Sequence, residues 1–162
     1  MIPLKINGKQ LVEIFEPEAA KTLATDDAIK RYSISKQMYP TSVNVSAEVY
    51  SRDTERTANY ELETLVLVNR KVKATFNWSV LKATYAKALL EFLNYTPSFK
   101  NDDGDVVPRD ADLFEITFWD LTGERTVKAY LGQTITCELK EYIINGEPVL
   151  YWEDFEIAFP EV

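Results

Sequence analysis

A chain of 162 residues with 46% hydrophobic and 12% aromatic side chains is long and apolar enough to bury a core of its own, which excludes disorder along its length. A formal net charge of -8 argues against binding to a nucleic-acid backbone. One cysteine and no histidine exclude an intrachain disulfide, Ser-His and Cys-His catalysis, and every histidine-bearing metal site.

The five glycines stand apart, so neither a P-loop nor a dinucleotide fingerprint can form. No apolar run approaches the roughly 20 residues that span a bilayer. The opening MIPLKINGKQ has neither the basic end nor the apolar stretch of a secretory signal, and the lone Cys137 suits a reducing cytoplasm.

Leu4-Lys5-Ile6 and Gln10 to Phe15 read as two strands of a hairpin about Asn7-Gly8, a pair that supplies the positive φ angles of a tight turn. Segment 16–42 reads as two short helices, one opened by Pro17 and one by Asp26-Asp27, or as a long mixed loop. From Ser42, Val43, Val45, Ala47 and Val49 alternate with polar residues, the period of a half-buried strand. Residues 51–59 read as a charged loop or hairpin tip. Tyr60 to Val68 and Lys71 to Trp78 read as strands joined at Asn69-Arg70.

Ser79 is placed to cap a helix over about 80–93, with Leu81, Tyr85, Ala88 and Phe92 on its docking face. Residues 94–112 make a long acidic loop. Leu113 to Trp119, a turn at Asp120-Leu121-Thr122-Gly123, and Arg125 to Leu131 follow as a hairpin. Thr134 to Ile144 and Val149 to Phe159 close the chain about an Asn145-Gly146 turn. The outcome is a mainly β (α+β) antiparallel chain, a single domain over 1–162, with about eight or nine strands and one firm helix.

The chemical candidates are few. Asn101-Asp102-Asp103-Gly104-Asp105, with Asp110 and Asp112 nearby, offers oxygen ligands for calcium, but EF-hand spacing would put Phe99 where the first carboxylate belongs. It reads as a solvated Asp-Gly turn, so no metal and no cofactor is expected. Glu153, Asp154 and Glu156 read as the wet side of a strand whose other side is Phe155, Ile157 and Phe159. Cys137 reads as a small buried side chain. Trp78, Trp119 and Trp152 read as core or interface residues, with a sugar- or peptide-binding platform as the alternative.

The helix also carries a second apolar stripe of Ala83, Ala86 and Leu90, expected to meet another chain or segment 16–42. Trp152, beside an acidic pair, is a further candidate for a subunit edge.

LKING (4–8), RKVKATFNW (70–78) running into a helix, FEITFWDLTGERTVKAYLG (114–132) and YWEDFEIAF (151–159) together resemble short phage and prophage tail-module proteins. The resemblance implies a tube-like β-sandwich or barrel with a flanking helix. It implies a structural component of a bacteriophage tail or baseplate, a homo-oligomeric ring that meets other tail proteins and is assembled in the host cytoplasm into the virion. In such a ring Glu138, Asp154 and Glu156 are candidate lumen-facing acids that would repel passing DNA. No catalysis, no specific nucleic-acid binding and no membrane insertion is expected. A carbohydrate- or receptor-binding β-sandwich is the alternative, and a carboxylate-only metal hydrolase a third.

Overall fold

The computed structural model describes residues 1–51, 67–95, 102–105, 112–132 and 134–162. The elements run β1 (Leu4–Ile6), β2 (Lys9–Gln10), α1 (Leu11–Phe15), α2 (Pro17–Thr22), α3 (Asp26–Ser35), β3 (Ser42–Ser51), β4 (Leu67–Lys82), α4 (Ala83–Phe92), β5 (Leu113–Asp120), β6 (Gly123–Tyr130), β7 (Glu138–Ile144) and β8 (Glu147–Pro160). The strands form two four-stranded antiparallel sheets in the orders β2-β1-β5-β6 and β3-β4-β8-β7. The fold is thus mainly β with helices, an α+β sandwich, and among the described residues the sheets do not close into a barrel.

Alternation places the core. Val72, Ala74, Phe76 and Trp78 of β4 and Phe155, Ile157 and Phe159 of β8 point inward and are buried against Phe114, Ile116 and Phe118 of β5. Phe76 meets Phe118 across the sheets edge-to-face, 6.2 Å between ring centres. Trp78 donates its indole N–H to the Met38 carbonyl at 2.9 Å, which fixes the chain leading from α3 into β3.

Several boundaries differ from the sequence reading. The partner of β1 is only two residues long, because Leu11, Val12, Ile14 and Phe15 bury themselves at helical spacing in α1. Glu13 accepts the Gln10 N–H at 2.7 Å and so supports the start of that helix. There is no turn at Asn69-Arg70: β4 runs straight through, held by Asn69↔Tyr50 and Arg70↔Val49 pairing with β3. The expected strand at 60–66 and the tip at 52–59 lie outside the described residues, as do 96–101 and 106–111 of the acidic loop.

The helix expected over 80–93 begins at Ala83 instead. Val80, Leu81 and Lys82 remain in β4, paired with Glu153, Trp152 and Tyr151, and that ladder outweighs a serine cap. Ser79 donates its backbone N–H to Thr41 Oγ1 at 3.0 Å. The flanking helix is also not alone. Segment 16–42 holds α2 and α3, the latter capped by Thr25.

Glu16, at the junction of α1 and α2, ties this helical layer together. One of its carboxylate oxygens accepts both Tyr32 O–H (2.8 Å, from α3) and Tyr85 O–H (3.1 Å, from α4). Phe15 stacks on Tyr85 with ring centres 5.1 Å apart. Burial, then the bond to Glu16, holds the Tyr85 phenol well above its ordinary value, and the bond to Glu16 does the same at Tyr32. A raised folded-state pKa stabilises the fold fully below the unfolded tyrosine value and loses that stabilisation as pH climbs past it. Stability should therefore fall above about pH 10, and Tyr85→Phe should flatten that fall in urea titrations followed by tyrosinate absorbance. Glu16→Ala should cost about 2 kcal/mol at neutral pH, whereas Glu18→Ala, on the exposed face of α2, should cost almost nothing.

Candidate assembly surface

Strands β7 and β8 begin as a projecting ribbon. Asn145 (φ 52°) and Gly146 (φ 80°) form its turn, both left-handed, as a two-residue hairpin loop requires. The ribbon pairs Glu138↔Glu153 through Ile144↔Glu147, whereas β4 pairs β8 only from Tyr151 onward. Every residue of β7 is consequently exposed. The expected strand start at Thr134 is replaced by an irregular crossing from β6, because Gly132 donates its N–H to the Ala158 carbonyl at 2.7 Å. A Cβ on Gly132 would lie 3.1 Å from that oxygen, so the crossing uses the bare glycine backbone. Cys137 ends this crossing half-buried, and burial raises its thiol pKa.

Directly opposed residues share a face. One face of the ribbon carries Tyr142, Ile144, Val149 and Tyr151 among Glu138, Lys140 and Glu153. It is braced internally: Tyr142 O–H donates to Glu153, Lys140 lies 3.8 Å from Glu153 and 3.9 Å from Glu138, and Tyr142 meets Tyr151 edge-to-face at 5.5 Å. The bond to Glu153 also raises the Tyr142 phenol. The other face carries Leu139, Ile143, Leu150 and Trp152, interrupted by Glu141. Ile143 is 68% exposed, Leu139 48% and Leu150 45%. A two-stranded ribbon is marginal by itself in water, and a contiguous apolar patch in that position is a candidate contact surface.

The residues singled out in the sequence fall in three places. Ala86 is 1% exposed and belongs to the core face of α4 with Tyr85, Leu89 and Leu93, so it is removed from the candidate interface. Ala83 and Leu90 are half-buried beside it, and the helix packed against α4 is α1. The core face, Tyr85, Ala86, Leu89 and Leu93, lies between the two expected stripes. Trp152 is half-buried at the base of the ribbon's aliphatic face, opposite Leu139 and Leu81.

The three acids do not form one row. Glu138 is ion-paired at the ribbon's base. Glu156 is exposed opposite Asn77, on an outward sheet face that also carries Lys73, Thr75, Asn44 and Ser46. That face is mixed and rich in small polar groups. Asp154 has a backbone role: it adopts φ 52° where the β4–β8 pairing skips from Trp78↔Phe155 to Val80↔Glu153. The missing pair interrupts the ladder near the ribbon's base, and pairing with β4 resumes at Glu153, Trp152 and Tyr151. Glu153, Asp154 and Glu156 thus have unlike surroundings, and no group of three or more His, Cys, Asp or Glu able to hold a metal ion occurs among the described residues.

The ribbon's exposed side chains Leu139, Ile143 and Leu150 were not among the residues the sequence reading singled out. Their signal was present, since Tyr142-Ile143-Ile144 and Val149-Leu150-Tyr151-Trp152 are apolar at both alternates. Trp119 and Leu121 form a second exposed apolar spot at the β5–β6 turn. That turn is closed by buried Asp120, which accepts the Thr122 N–H (2.7 Å) and hydroxyl (2.9 Å) and pairs with Arg125 (3.2 Å). The Thr122 N–H above all, helped by Thr122 O–H and Arg125, holds the Asp120 carboxyl below its ordinary value.

Comparison with protein-family models, curated proteins and solved structures found no match. At the ribbon's base, the left-handed backbone makes a direct expectation. Asp154→Gly should leave unfolding free energy unchanged or raise it, while Asp154→Val should lower it by about 1–2 kcal/mol; chemical denaturation of the two variants measures the difference.

Proposed function

We propose that this chain is a structural component of a bacteriophage tail or baseplate, working without catalysis by assembling with further copies of itself and with neighbouring tail proteins. The observation that carries the reading is the unshielded apolar ribbon of β7 and β8. Folding gains nothing by holding Ile143, Leu139 and Leu150 in water, whereas a partner that covers them gains about 25 cal/mol per Å² of apolar surface removed from solvent.

Sheet edges support the same reading. Among the described residues, β3 and β7 are the two edges of one sheet. The first six residues of β3, Ser42 to Ala47, carry no charge and no proline, and the outer half of β7 is Tyr142-Ile143-Ile144. Proteins that stay monomeric guard such edges with lysine, proline or a bulge. Unlike edges on one chain favour head-to-tail contacts, which close into a ring when the rotation allows. The bacteriophage part of the reading rests on the sequence resemblance. Its segments fall on β1, on β4 leading into α4, on the β5–β6 hairpin and on β8, in the order the resemblance implies.

A carbohydrate- or receptor-binding module is the second reading, favoured by Trp119, which is 60% exposed beside Thr117 and Thr126 on an open sheet face. Trp119→Ala abolishing glycan binding, with the chain monomeric throughout, would decide for it. For the assembly reading, sedimentation at rising concentration should show oligomers. Ile143→Asp should weaken each contact by about tenfold or more, the effect of losing one buried aliphatic side chain, with the monomer's melting temperature unchanged. A chain that stays monomeric alone and with neighbouring tail proteins would overturn it.

A further inference from the structure

The same tripeptide occurs twice in the chain, in the same kind of turn. Ile6-Asn7-Gly8 leads from β1 to β2, and Ile144-Asn145-Gly146 leads from β7 to β8. The backbones match: Asn7 and Asn145 both lie at φ 52°, and Gly8 and Gly146 at φ 75° and 80°. Both asparagines are exposed. What differs is how each turn is held. Asn7 donates its backbone N–H to the Glu115 carbonyl at 2.7 Å, and its side-chain Oδ1 accepts the Glu115 N–H at 2.9 Å. Ile6, just before it, is fully buried and paired with Ile116 of β5. The Asn145 side chain has no hydrogen-bond partner among the described residues. Ile144 is 41% exposed, and β4 stops pairing with β8 at Tyr151, so the second turn is held by its own ribbon alone.

We infer that Asn145 is a site of spontaneous covalent modification, conversion to aspartate and isoaspartate, from which the fold protects Asn7. An asparagine before a glycine is open to this chemistry because no Cβ on the second residue hinders the approach. The Gly146 amide nitrogen gives up its proton to solvent base and attacks Cγ of Asn145. The new N–Cγ bond forms as the bond from Cγ to the side-chain nitrogen breaks, and that nitrogen takes up a proton and leaves as ammonia. A five-membered succinimide remains. Water then adds at one of its two carbonyls and opens the ring, giving aspartate, or isoaspartate whose main chain runs through the former side chain.

Closing the ring requires the peptide plane after the asparagine to swing out of the tight-turn geometry, so the rate follows the free energy of opening the turn. At Asn145 opening only frays the end of a two-stranded ribbon. At Asn7 it breaks both bonds to Glu115 and pulls against the buried Ile6. The products also alter the surface they form on. Ile143 to Gly146 is the uncharged stretch of the ribbon, bracketed by Glu141 and Glu147, and either product places a carboxylate in it. Isoaspartate further adds a main-chain carbon to the loop that sets the Ile144↔Glu147 register. The chemistry proceeds in an isolated chain and so stands apart from the assembly reading.

The test is peptide mapping by mass spectrometry of the full-length folded chain, held at mildly alkaline pH and body temperature, with aspartate and isoaspartate separated by chromatography. Conversion at Asn145 should outrun conversion at Asn7 about tenfold or more, the factor that the extra hydrogen bonds broken on opening confer. In guanidinium the two sites should convert at similar rates, because the tripeptide is identical and the fold is gone. Equal rates in the folded chain, faster conversion at Asn7, or no conversion at Asn145 would overturn the inference. So would a preference for Asn145 that survives in guanidinium, which would assign the difference to the following residues Lys9 and Glu147 instead of the fold.

Discussion

Strand β8 belongs to two structures at once, and the rest of the molecule depends on how it divides. Its C-terminal part, Phe155 to Phe159, packs one face into the core beside β4. Its N-terminal part pairs with β7 throughout, with β4 as well at Tyr151, Trp152 and Glu153, and with β7 alone from Glu147 to Leu150. Asp154 marks the division. Across it the buried positions change parity, from Phe155, Ile157 and Phe159 on one side to Leu81, facing Trp152, on the other. The register with β4 is the same on both sides, so the change of face comes from the left-handed backbone at Asp154 and not from a slip between the strands. One left-handed residue re-aims the strand's alternates shortly before it runs on beyond β4, at a backbone cost that aspartate tolerates better than most side chains.

The same strand also joins the sheets. Beyond Pro160, Glu161 continues the ladder to Val72 and bridges to Ala129 of β6, and its carboxylate accepts the Val72 N–H at 2.8 Å while lying 3.5 Å from Arg125. Arg125 in turn holds Asp120 at the β5–β6 turn. One acidic side chain therefore links both sheets and the turn that the sequence shows as Asp-Leu-Thr-Gly. Gly132 allows the chain to cross against Ala158 close by, so β6 delivers the chain to the ribbon's base. Ribbon and body are coupled through backbone hydrogen bonds more than through side-chain packing, which suits an appendage that has to hold a direction without a core of its own.

How much of this the sequence disclosed follows from which physical signals are local. Alternation in Val72 to Trp78, Phe114 to Phe118 and Phe155 to Phe159 revealed the core strands, because a two-sheet core imposes period two wherever one face is wet. The turns at Asn7-Gly8, Asp120 to Gly123 and Asn145-Gly146 were visible because positive φ restricts residue choice. The helix start was misread because Ser79-Val80 satisfies a local capping rule, while the competing ladder to Glu153 comes from more than seventy positions away. α1 was read as a strand because five residues are too short a window for the helical spacing of Leu11, Val12, Ile14 and Phe15 to outweigh the hairpin signal of Asn7-Gly8. Ala86 moved from candidate interface to core because the packed face of a helix is set by what docks on it, and Leu81, which anchored the expected face, lies in β4 instead. The ribbon was legible as strands but not as a surface, since residues apolar at both alternates look alike whether the chain or a neighbour covers them.

That ambiguity also bears on what drives association. The chain carries a net charge of -8, so two copies repel at distances up to the screening length, roughly 8 Å at physiological salt. The ribbon adds to this repulsion, with Glu138, Glu141, Glu147 and Glu153 against the single Lys140. On the assembly reading proposed above, net charge opposes the contact and the apolar side chains of the ribbon, which act only once water has been expelled between them, have to supply the gain. A long-range barrier combined with a short-range apolar gain makes a first contact slow. Later contacts follow more readily when a growing assembly presents several ribbons and edges at fixed spacing, because each is then met at a high effective concentration. The acidic surface and the bare aliphatic face of the ribbon are in this respect parts of one arrangement: charge keeps free copies apart and soluble, and the ribbon's uncharged tip is the place where that protection is interrupted.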